Sequence, residues 1–328
     1  MTQESEYFVS IVIPVYNVEK YIGECVTSVM NQNIEQKTEC LLVDDCGKDN
    51  SIAVAQELID KYEGDVSFKI VRYEHNKGCS GARNEGARRA KGEYLLFMDS
   101  DDYLLPNGLK TLVDIALQHK GVDIVHGTIK AEDKEANPFV EWPDKLYRVP
   151  EYSDNETECQ KRMQERHYIG FVNNRMVRRE FFETNKLYFF EGIIHEDDIW
   201  NFCLGRYVKS IAHTPKETYF YRANPNGIMG TLNIKSFNSR CQIADYVLGS
   251  IRLGSSYDRE LTFVLSEMHK AEDQFKLNPF DKMQKGNSVL KKLYTISFYD
   301  GDKYSGVVYK IMRIALRQIF RLQCLVKK

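Results

Sequence analysis

The sequence predicts an α/β protein with a largely parallel, doubly wound sheet flanked by helices, followed by a helical C-terminal part. From residue 8 to residue 119, short apolar runs rich in Val, Ile and Leu alternate with segments whose apolar residues recur at helical spacing. From about residue 234 onward, only the helical pattern continues. Alternation of strands and helices is typical of parallel sheets, because each crossover places a helix over the sheet.

The first part of this pattern contains three strands and two helices. The runs "FVSIVIPVYN", "CLLVDD" and "FKIVRYE" are apolar and β-branched, as fully buried parallel strands are. Between them, "VEKYIGECVTSVMNQ" places its apolar residues on one helical face. The segment "KDNSIAVAQELIDKY" predicts a second helix that begins near Ser51, with Asp49 as its cap.

The next part predicts two further strands, each followed or preceded by a helix. A helix is expected over "SGARNEGARRAKG", with Ser80 as its N-cap and Gly92 as its stop. The run "EYLLFMD" predicts the fourth strand, "PNGLKTLVDIALQHK" the helix after it, and "VDIVHGTI" another strand. Residues 130–148 are polar and irregular, and they predict a loop.

The remaining elements complete an α/β domain. Residues 157–167 have a helical pattern, and "FVNNRMVRREFFETNKLYF" predicts a short strand followed by a helix. The segment "HEDDIWNFCLGRYV" predicts an amphipathic helix, and "IAHTPKETYFYRANPNG" a strand that leads into a loop. We therefore predict an α/β domain over residues 1–230 and a helical region over residues 231–328.

Composition and charge argue against several classes of protein. The 328 residues are 43% hydrophobic and carry a net charge of −2, which allows a large core but gives no basic field for nucleic acid. Eight cysteines are scattered without a CxxC pair, which favours a reducing compartment and no cysteine-bound metal. No basic region precedes the short N-terminal apolar run, and no stretch approaches the length of a transmembrane helix. We predict a cytoplasmic protein.

Two acidic clusters follow predicted strands, where ligands bind in open α/β sheets. Asp44 and Asp45 end the second strand, and the acids of "DSDD" end the fourth. In an extended segment, Asp99 and Asp101 point the same way, and two converging carboxylates suit a hard divalent cation. The alternative is an acidic turn in which Asp102 favours the positive end of the next helix.

The other acidic and basic candidates also have a plain structural reading. Asp45 is a candidate ligand for a base ring or a ribose, or else part of a strand-end turn. Arg83 lies in the first turns of a predicted helix, where it could hold diphosphate oxygens. Acids at the start of "HEDDIWNF" are expected on helix-dipole grounds, but one of them could serve as a general base. His195 is a possible helper there, although a lone histidine is more often structural.

Four motifs in register resemble one known family. "VSIVIPVYNVEKYIGECVTSVMNQ", "LLVDDCGKDNS", "NKGCSGARNEGARRAKGEYLLFMDSDD" and "HEDDIW" occur in order. Together, over roughly residues 8 to 230, they resemble the family 2 inverting glycosyltransferases of the GT-A fold, whose mixed, mostly parallel sheet is Rossmann-like and binds a nucleotide-diphosphate sugar.

The resemblance implies roles for matching positions. Asp99 and Asp101 match the DxD motif that holds Mn²⁺ or Mg²⁺ on the diphosphate, with Asp101 the more direct ligand. Asp197 matches the catalytic base. The implied donor-binding residues are Pro14, Tyr16, Asn17, Asp44, Asp45, Arg83, Asp99 and Ser100, of which Asp45 meets the base.

The acceptor side is expected to include Glu196, Asp198, Trp200 and Arg222. The acceptor should also meet residues 130–174 and the loop around Tyr221, Arg222 and Asn224. Two departures from the family pattern stand out: Cys46-Gly47 replaces the common glycine-serine, and the Q/R-x-x-R-W motif of processive members is absent. The resemblance therefore implies an enzyme that adds one sugar.

The implied function is metal-dependent, inverting transfer of a single sugar, with UDP favoured as carrier and GDP or dTDP as alternatives. The acceptor would be a glycan or a lipid-linked glycan of bacterial polysaccharide assembly. One alternative is a non-catalytic nucleotide-sugar or glycan-binding module. Another is a sugar-phosphate nucleotidylyltransferase, which is disfavoured because "PVYNVEK" is not a glycine-rich basic loop.

The C-terminal segment predicts a basic amphipathic helix. Residues 306–328, "GVVYKIMRIALRQIFRLQCLVKK", place an apolar stripe beside a basic one. Such a helix could pack on the protein or on a second copy of the chain, or it could lie on an anionic membrane surface at the inner face of the cell membrane. Oligomeric state is left open.

Overall fold

A computed structural model describes residues 5–131, 151–164, 171–222, 224 and 234–250, and also residues 260, 263–264, 266–268 and 270–271. The sequence predicts a loop over residues 130–148. Residues 130 and 131 instead end the strand Ile124–Ala131, and the rest of that loop and the predicted amphipathic helix over 306–328 lie outside the described residues. Among the residues that the structure describes, no helix is long and apolar enough to cross a membrane.

The N-terminal elements alternate between strand and helix, as the apolar runs predict. They are β1 (Tyr7–Val15), α1 (Ile22–Met30), β2 (Thr38–Asp44), α2 (Ser51–Asp60), β3 (Val66–Arg72), α3 (Gly78–Arg89) and β4 (Gly92–Phe97). Asp49 accepts hydrogen bonds from the backbone N–H and hydroxyl of Ser51, at 3.1 and 2.6 Å, but the N-cap residue of α2 is Asn50, whose side chain makes no capping hydrogen bond. Ser80 is not an N-cap, because α3 begins two residues earlier and buries it.

The later elements are shorter and more irregular. They are β5 (Tyr103–Leu104), α4 (Gly108–Gln118), β6 (Ile124–Ala131), β7 (Tyr152–Ser153), α5 (Glu156–Gln164), β8 (Arg175–Arg178), α6 (Arg179–Thr184), α7 (Glu196–Tyr207), β9 (Ile211–Tyr221) and α8 (Ile234–Gly249).

The described strands form one sheet in the order β3-β2-β1-β4-β8-β6-β9-β5, with β7 paired to β9. The first four strands are parallel, β6 and β9 are parallel to each other, and β8 runs antiparallel to both of its neighbours. The chain moves outward from β1 to β3 and then returns to place β4 on the other side of β1. Ligands of such sheets bind beyond the carboxyl ends of the strands, at this switch in direction.

Apolar residues cover both faces of the sheet, because successive side chains of a strand point to opposite faces. Ile11 and Ile13 of β1 belong to one buried cluster with residues of α1, α2 and α4. Val12 belongs to the other, with residues of α3, α5, α6 and α7. The sheet is thus the middle of three layers, and its carboxyl edge is left for polar side chains.

Contacts within the chain divide it into two compact units. The first comprises residues 1–192 and 196–227, and the second residues 193–195 and 228–328. Within the second unit, His195 has a left-handed backbone, with φ of 66°, and its ring contacts Ser236 and Arg240 of α8. The division into domains at residue 230 stays a prediction.

Candidate active site

The acidic clusters lie at the carboxyl edge of the sheet. Asp44 is the last residue of β2, opposite Val15 of β1. Asp99 follows β4 after one residue, and β4 pairs with the other side of β1. Both clusters therefore flank the end of the central strand β1, and they lie in the first compact unit together with Arg83, Glu196 and Asp197. The predicted helper His195 belongs to the second unit.

The residues after β4 form a turn and not an extended segment. The backbone N–H of Asp102 donates to the carbonyl of Asp99 at 3.2 Å, which closes the turn. Ser100 is 6% exposed, and the predicted alternation of Asp99 and Asp101 along an extended strand is wrong. The carboxylates are instead directed by their separate hydrogen-bond partners.

Asp99 is held on both of its carboxylate oxygens. Arg83 Nη2 donates to Oδ1 at 2.8 Å, and Asn173 Nδ2 donates to Oδ2 at 2.7 Å. Asn173 is 3% exposed, and its own Oδ1 is buried without a hydrogen-bond partner. Its signal in the sequence is weak, because an asparagine just before a short strand is common.

Asp101 has fewer partners than Asp99. Asn224 Nδ2 donates to its Oδ2 at 2.8 Å, and no other side chain in the described part of the chain donates to this carboxylate. Burial and then the charge of Asp99 raise the pKa of Asp101, which means that a nearby cation would favour its ionised form.

The donor set at this turn suits a cation that keeps other ligands. No group of three or more His, Cys, Asp or Glu residues is arranged to hold a metal among the described residues. Carboxylate oxygens of Asp101 and Asp99 are nevertheless hard ligands of the kind that Mn²⁺ and Mg²⁺ take, with phosphate and water completing the shell. These residues fit such an ion only together with a bound phosphate.

Asp102 anchors the Asp99–Asp102 turn to Tyr219 and Arg222, a role that the sequence did not predict. It is 2% exposed, and its carboxylate accepts hydrogen bonds from the Tyr219 hydroxyl at 2.7 Å and the Arg222 backbone N–H at 2.8 Å. Burial raises the pKa of Asp102 well above its ordinary value. It does not cap the following helix, since α4 begins only at Gly108.

Arg83 joins the turn to the acidic start of α7. Its Nη1 donates to Glu196 Oε1 at 2.8 Å and lies 3.7 Å from Asp197 Oδ1, while Nη2 holds Asp99. The guanidinium also lies 5.4 Å from the centre of the Phe189 ring. Arg83 is 3% exposed, so it is a buried counter-ion of three carboxylates.

Asp197 has the most perturbed environment of the acidic triplet. Burial raises its pKa well above the ordinary value, the charges of Glu196, Asp99 and Asp198 add to this, and Arg83 opposes it. Its Oδ1 is buried without a hydrogen-bond partner, although the side chain as a whole is 29% exposed. A raised pKa makes the ionised form of Asp197 a stronger base than an ordinary aspartate.

Asp45 lies at the other end of the cluster, beside β2. It is 2% exposed, and its Oδ1 accepts a hydrogen bond from the Lys77 backbone N–H at 2.7 Å. Burial raises the pKa of Asp45. Asp44 is more open and accepts a hydrogen bond from the Cys46 backbone N–H at 3.1 Å. Cys46 has a φ of 61°, which suits the glycine that commonly stands there.

The loop after β1 is only partly open. Tyr16 is 48% exposed, and Asn17, with φ of 53°, accepts a hydrogen bond from the Lys48 backbone N–H. Pro14 is buried inside β1, opposite Val43. Its ring therefore has little open surface, and contact of Pro14 with a nucleotide stays a prediction.

Comparison with known proteins adds a decisive observation. The family model described as "Glycosyl transferase family 2" matches residues 10–185. The chain belongs to glycosyl transferase family 2. The matched range contains most of β1, all of β2 to β4 and the Asp99–Asp102 turn. The resemblance identified in the sequence is confirmed.

Several relatives that match the chain are named as glycosyltransferases. The glycosyltransferase EpsJ of Bacillus subtilis is 32% identical over 224 residues, which is 67% of this chain and 62% of EpsJ. A glycosyltransferase of Haemophilus influenzae is 32% identical over 215 residues, 65% of this chain and 78% of that protein. The poly(ribitol-phosphate) β-N-acetylglucosaminyltransferase TarS of Staphylococcus aureus is 32% identical over 168 residues, 45% of this chain and 28% of TarS.

Solved structures of low identity share the fold. TarS 1–349 of S. aureus has a TM-score of 0.61 at 21% identity, covering 88% of this chain and 79% of that chain. The complex of TarS 1–349 with UDP-GlcNAc has a TM-score of 0.58 at 19% identity, covering 95% of this chain and 92% of that chain. The mannosyltransferase PcManGT of Pyrobaculum calidifontis, in complex with GDP-Man and Mn²⁺, has a TM-score of 0.51 at 13% identity. The match covers 97% of this chain and 88% of that chain. The predicted GT-A fold is confirmed.

The acceptor-side predictions for this family 2 chain have mixed outcomes. Trp200 is 1% exposed, donates to the Leu187 carbonyl and stacks on Phe189 in the core, so its predicted contact with an acceptor is wrong. Arg222 binds the Asp101 carbonyl and the Glu24 carboxylate. Asp198 lies half-buried in the first turn of α7. For Asp198, Glu196 and Arg222, contact with an acceptor stays a prediction.

Proposed function

We propose that the protein is a metal-dependent, inverting glycosyltransferase that moves a single sugar from a nucleotide-diphosphate sugar to an acceptor hydroxyl. The observation that carries the proposal is the connected set of Asp99, Arg83, Glu196 and Asp197 at the carboxyl edge of a GT-A sheet. It joins a carboxylate turn suited to a metal diphosphate with a buried aspartate suited to proton removal. Membership of glycosyl transferase family 2 supports the same chemistry.

The donor would lie with its nucleotide beside β2 and its diphosphate at the turn after β4. Asp45 and Asp44 are the proposed ligands of the base and ribose, with Tyr16 and Asn17 as the open residues of the neighbouring loop. UDP is the proposed carrier, and the TarS neighbours whose structures contain UDP or UDP-GlcNAc support this choice.

Asp101 and Asp99 would hold Mn²⁺ or Mg²⁺ at the diphosphate. The bound ion supplies positive charge that stabilises the departing diphosphate. Asn224 and Asn173 orient the two carboxylates by their hydrogen bonds. The Mn²⁺ in the PcManGT structure supports a metal in a protein of this fold.

Asp197 would act as the general base. Its carboxylate takes the proton of the acceptor hydroxyl, the hydroxyl oxygen forms a bond to the anomeric carbon, and the bond from that carbon to the diphosphate oxygen breaks. Attack from the face opposite the leaving group inverts the configuration, so no covalent enzyme intermediate forms. The acceptor is proposed to be a glycan or lipid-linked glycan of bacterial polysaccharide assembly, and TarS, named for a poly(ribitol-phosphate) acceptor, supports a polymer of this kind.

A thermal-shift panel with UDP, GDP, CDP and dTDP, each with Mn²⁺ or with EDTA, tests the donor site. A ligand at about 100 times its dissociation constant should stabilise the protein by about 2.7 kcal/mol. We expect a shift with UDP that needs Mn²⁺ and disappears in Asp101→Ala. Asp197→Asn should keep that shift but lose transfer. A metal-independent shift, or normal transfer by Asp197→Asn, would contradict the proposal, and binding without any turnover would favour a non-catalytic binding module.

A further inference from the structure

Arg83 contacts both ends of the proposed reaction centre. Its Nη2 donates to Asp99 Oδ1 at 2.8 Å, and its Nη1 donates to Glu196 Oε1 at the same distance. Nη1 also lies 3.7 Å from Asp197 Oδ1. One buried cation thus touches the carboxylate of the metal-binding turn and two carboxylates of the acidic triplet.

Little of this guanidinium is open to a substrate. The Arg83 side chain is 4% exposed, and both of its terminal nitrogens already donate to carboxylates. The Phe189 ring lies 5.4 Å from its central carbon. A diphosphate bound at the turn would find the Asp99 oxygens held by Arg83 and Asn173 rather than a free arginine.

Arg83 connects two elements that lie 16 and 113 residues from it along the chain. Asp99 belongs to the turn after β4, Glu196 and Asp197 begin α7, and Arg83 lies in α3. A planar guanidinium can donate in two directions at once, which the single nitrogen of lysine does not reproduce. Without that bridge, like charges on the turn and on α7 would repel one another.

We propose that Arg83 is a positioning residue that couples the metal-binding turn to the catalytic base, and that it does not bind the donor diphosphate. It sets the distance between Asp99 and the Glu196–Asp197 pair. This inference rests on the proposed function, because it needs Asp197 to be the base.

The two roles of Arg83 predict different effects on nucleotide affinity. If Arg83 only bridges carboxylates, Arg83→Gln and Arg83→Lys bind UDP with Mn²⁺ as tightly as the wild type, within about threefold, or tighter, since a cation has left the metal ligand. If Arg83 binds the diphosphate, Arg83→Gln weakens that affinity by about tenfold or more, and Arg83→Lys recovers part of it. Isothermal titration with UDP and Mn²⁺ measures both variants.

Transfer is the second measurement, followed as UDP release from UDP-GlcNAc with water or poly(ribitol phosphate) as acceptor. Both Arg83 variants should lower kcat by about 100-fold, because the base is misplaced. The matched control is Arg88→Gln on the same helix, whose side chain is 50% exposed and pairs with Glu85. That variant should change neither affinity nor kcat.

A double-mutant cycle with Glu196→Gln tests the coupling itself. Glu196→Gln should lower kcat in the wild type but add little to the loss in Arg83→Gln, since both changes break one bridge. Independent, multiplying losses would overturn the proposal. If circular dichroism shows that Arg83→Gln is unfolded, Glu196→Gln decides alone: unchanged UDP affinity with slower transfer supports the bridge, and unchanged transfer overturns it.

Failure of the proposed function gives a different result. A wild-type protein that binds no nucleotide with Mn²⁺ overturns both ideas together. A wild-type protein that binds UDP, with Arg83→Gln binding it at least tenfold more weakly, overturns only the role of Arg83. Where UDP-GlcNAc is not turned over, the nucleotide titration alone decides between the two roles.

Discussion

Asp197 Oδ1 lies 3.7 Å from Arg83 Nη1, near enough for attraction but beyond hydrogen-bond length. The same oxygen is buried without a hydrogen-bond partner. Attraction without a hydrogen bond helps to keep the carboxylate ionised, and the side chain as a whole is still 29% exposed. This combination is what a general base in a partly closed site needs.

The pH dependence of transfer should report the titration of Asp197. Burial raises the pKa of this group well above its ordinary value, and the base works only when ionised. Activity should therefore fall as the pH is lowered through the raised pKa, at a pH well above the ordinary aspartate value of about 3.9. The measurement is kcat/KM for UDP release as a function of pH.

Asp197→Asn should lower kcat by about 10²- to 10⁴-fold, since the amide cannot accept the proton. Asp198→Asn, in the same helical turn, is the matched control and should keep the wild-type pH profile. The base would be a different residue if kcat/KM falls only near the ordinary aspartate pKa. The same would hold if Asp198→Asn shifts the pH at which kcat/KM falls.

The central strands were predictable because they are buried on both faces. Runs such as "VSIVIPV" and "CLLVD" signal parallel strands without knowledge of their neighbours, and the order of β1 to β4 follows from short right-handed crossovers. The insertion of β8 between β4 and β6 was not predictable. Its four residues, RMVR, carry little local signal, and their place depends on pairing with distant strands.

A second prediction concerns the loss of folding stability caused by burying the charged carboxylate of Asp45. Burial raises the pKa of this group in the folded protein, so the folded state binds more protons than the unfolded state between the ordinary value, about 3.9, and the raised one. The free energy of unfolding should fall as pH rises through that window. Asp45→Asn removes the cost while its amide oxygen can still accept the Lys77 hydrogen bond.

Asp45→Asn should therefore have a higher Tm than the wild type at pH 7, with the difference vanishing below about pH 4. Its affinity for UDP should fall if Asp45 meets the nucleotide. Asp44→Asn is the matched control, because that side chain is more exposed, and its Tm should change little. A lower Tm for Asp45→Asn at pH 7 would mean that the charge is stabilising.

The candidate site was predictable only as a set of acids at strand ends. The sequence places Asp45, Asp99, Asp101 and Asp197 in recognisable motifs. It does not indicate that Asp102 is as buried as Asp45, because its partners, Tyr219 and Arg222, lie in β9 and just after it, more than one hundred residues away along the chain. Long-range pairing of β5 with β9 brings them together, and no local pattern encodes that pairing.

Tyr219 provides a test of how that buried carboxylate is stabilised. Its hydroxyl donates to Asp102 Oδ2 at 2.7 Å and accepts from the Asp99 backbone N–H at 3.2 Å. Tyr219→Phe removes both bonds and should cost about 1–3 kcal/mol, because polar groups remain buried with fewer partners. Chemical denaturation measures the free energy of unfolding.

Tyr62→Phe is the matched control, since the Tyr62 hydroxyl makes only long hydrogen bonds of 3.4 and 3.5 Å. It should cost clearly less than Tyr219→Phe. Equal losses would show that the short hydrogen bonds of the Tyr219 hydroxyl contribute no more to stability than the long ones of Tyr62. The Mn²⁺-dependent UDP shift should also weaken in Tyr219→Phe, because the Asp99–Asp102 turn loses a support.

The last prediction contrasts two glycines in helices. A Cβ at Gly86 of α3 would overlap Val12 of β1, whose β-branched side chain is fully buried and stiff. A Cβ at Gly23 of α1 would meet its nearest atom, on Val54, at 3.7 Å, an ordinary contact. Gly86→Ala should cost about 1–3 kcal/mol by overpacking, whereas Gly23→Ala should gain up to about 1 kcal/mol from helix propensity. Chemical denaturation measures the change in the free energy of unfolding for both variants. Changes of opposite sign would establish that close packing of α3 on β1, which sets the position of Arg83, requires glycine. Changes of the same sign would contradict it.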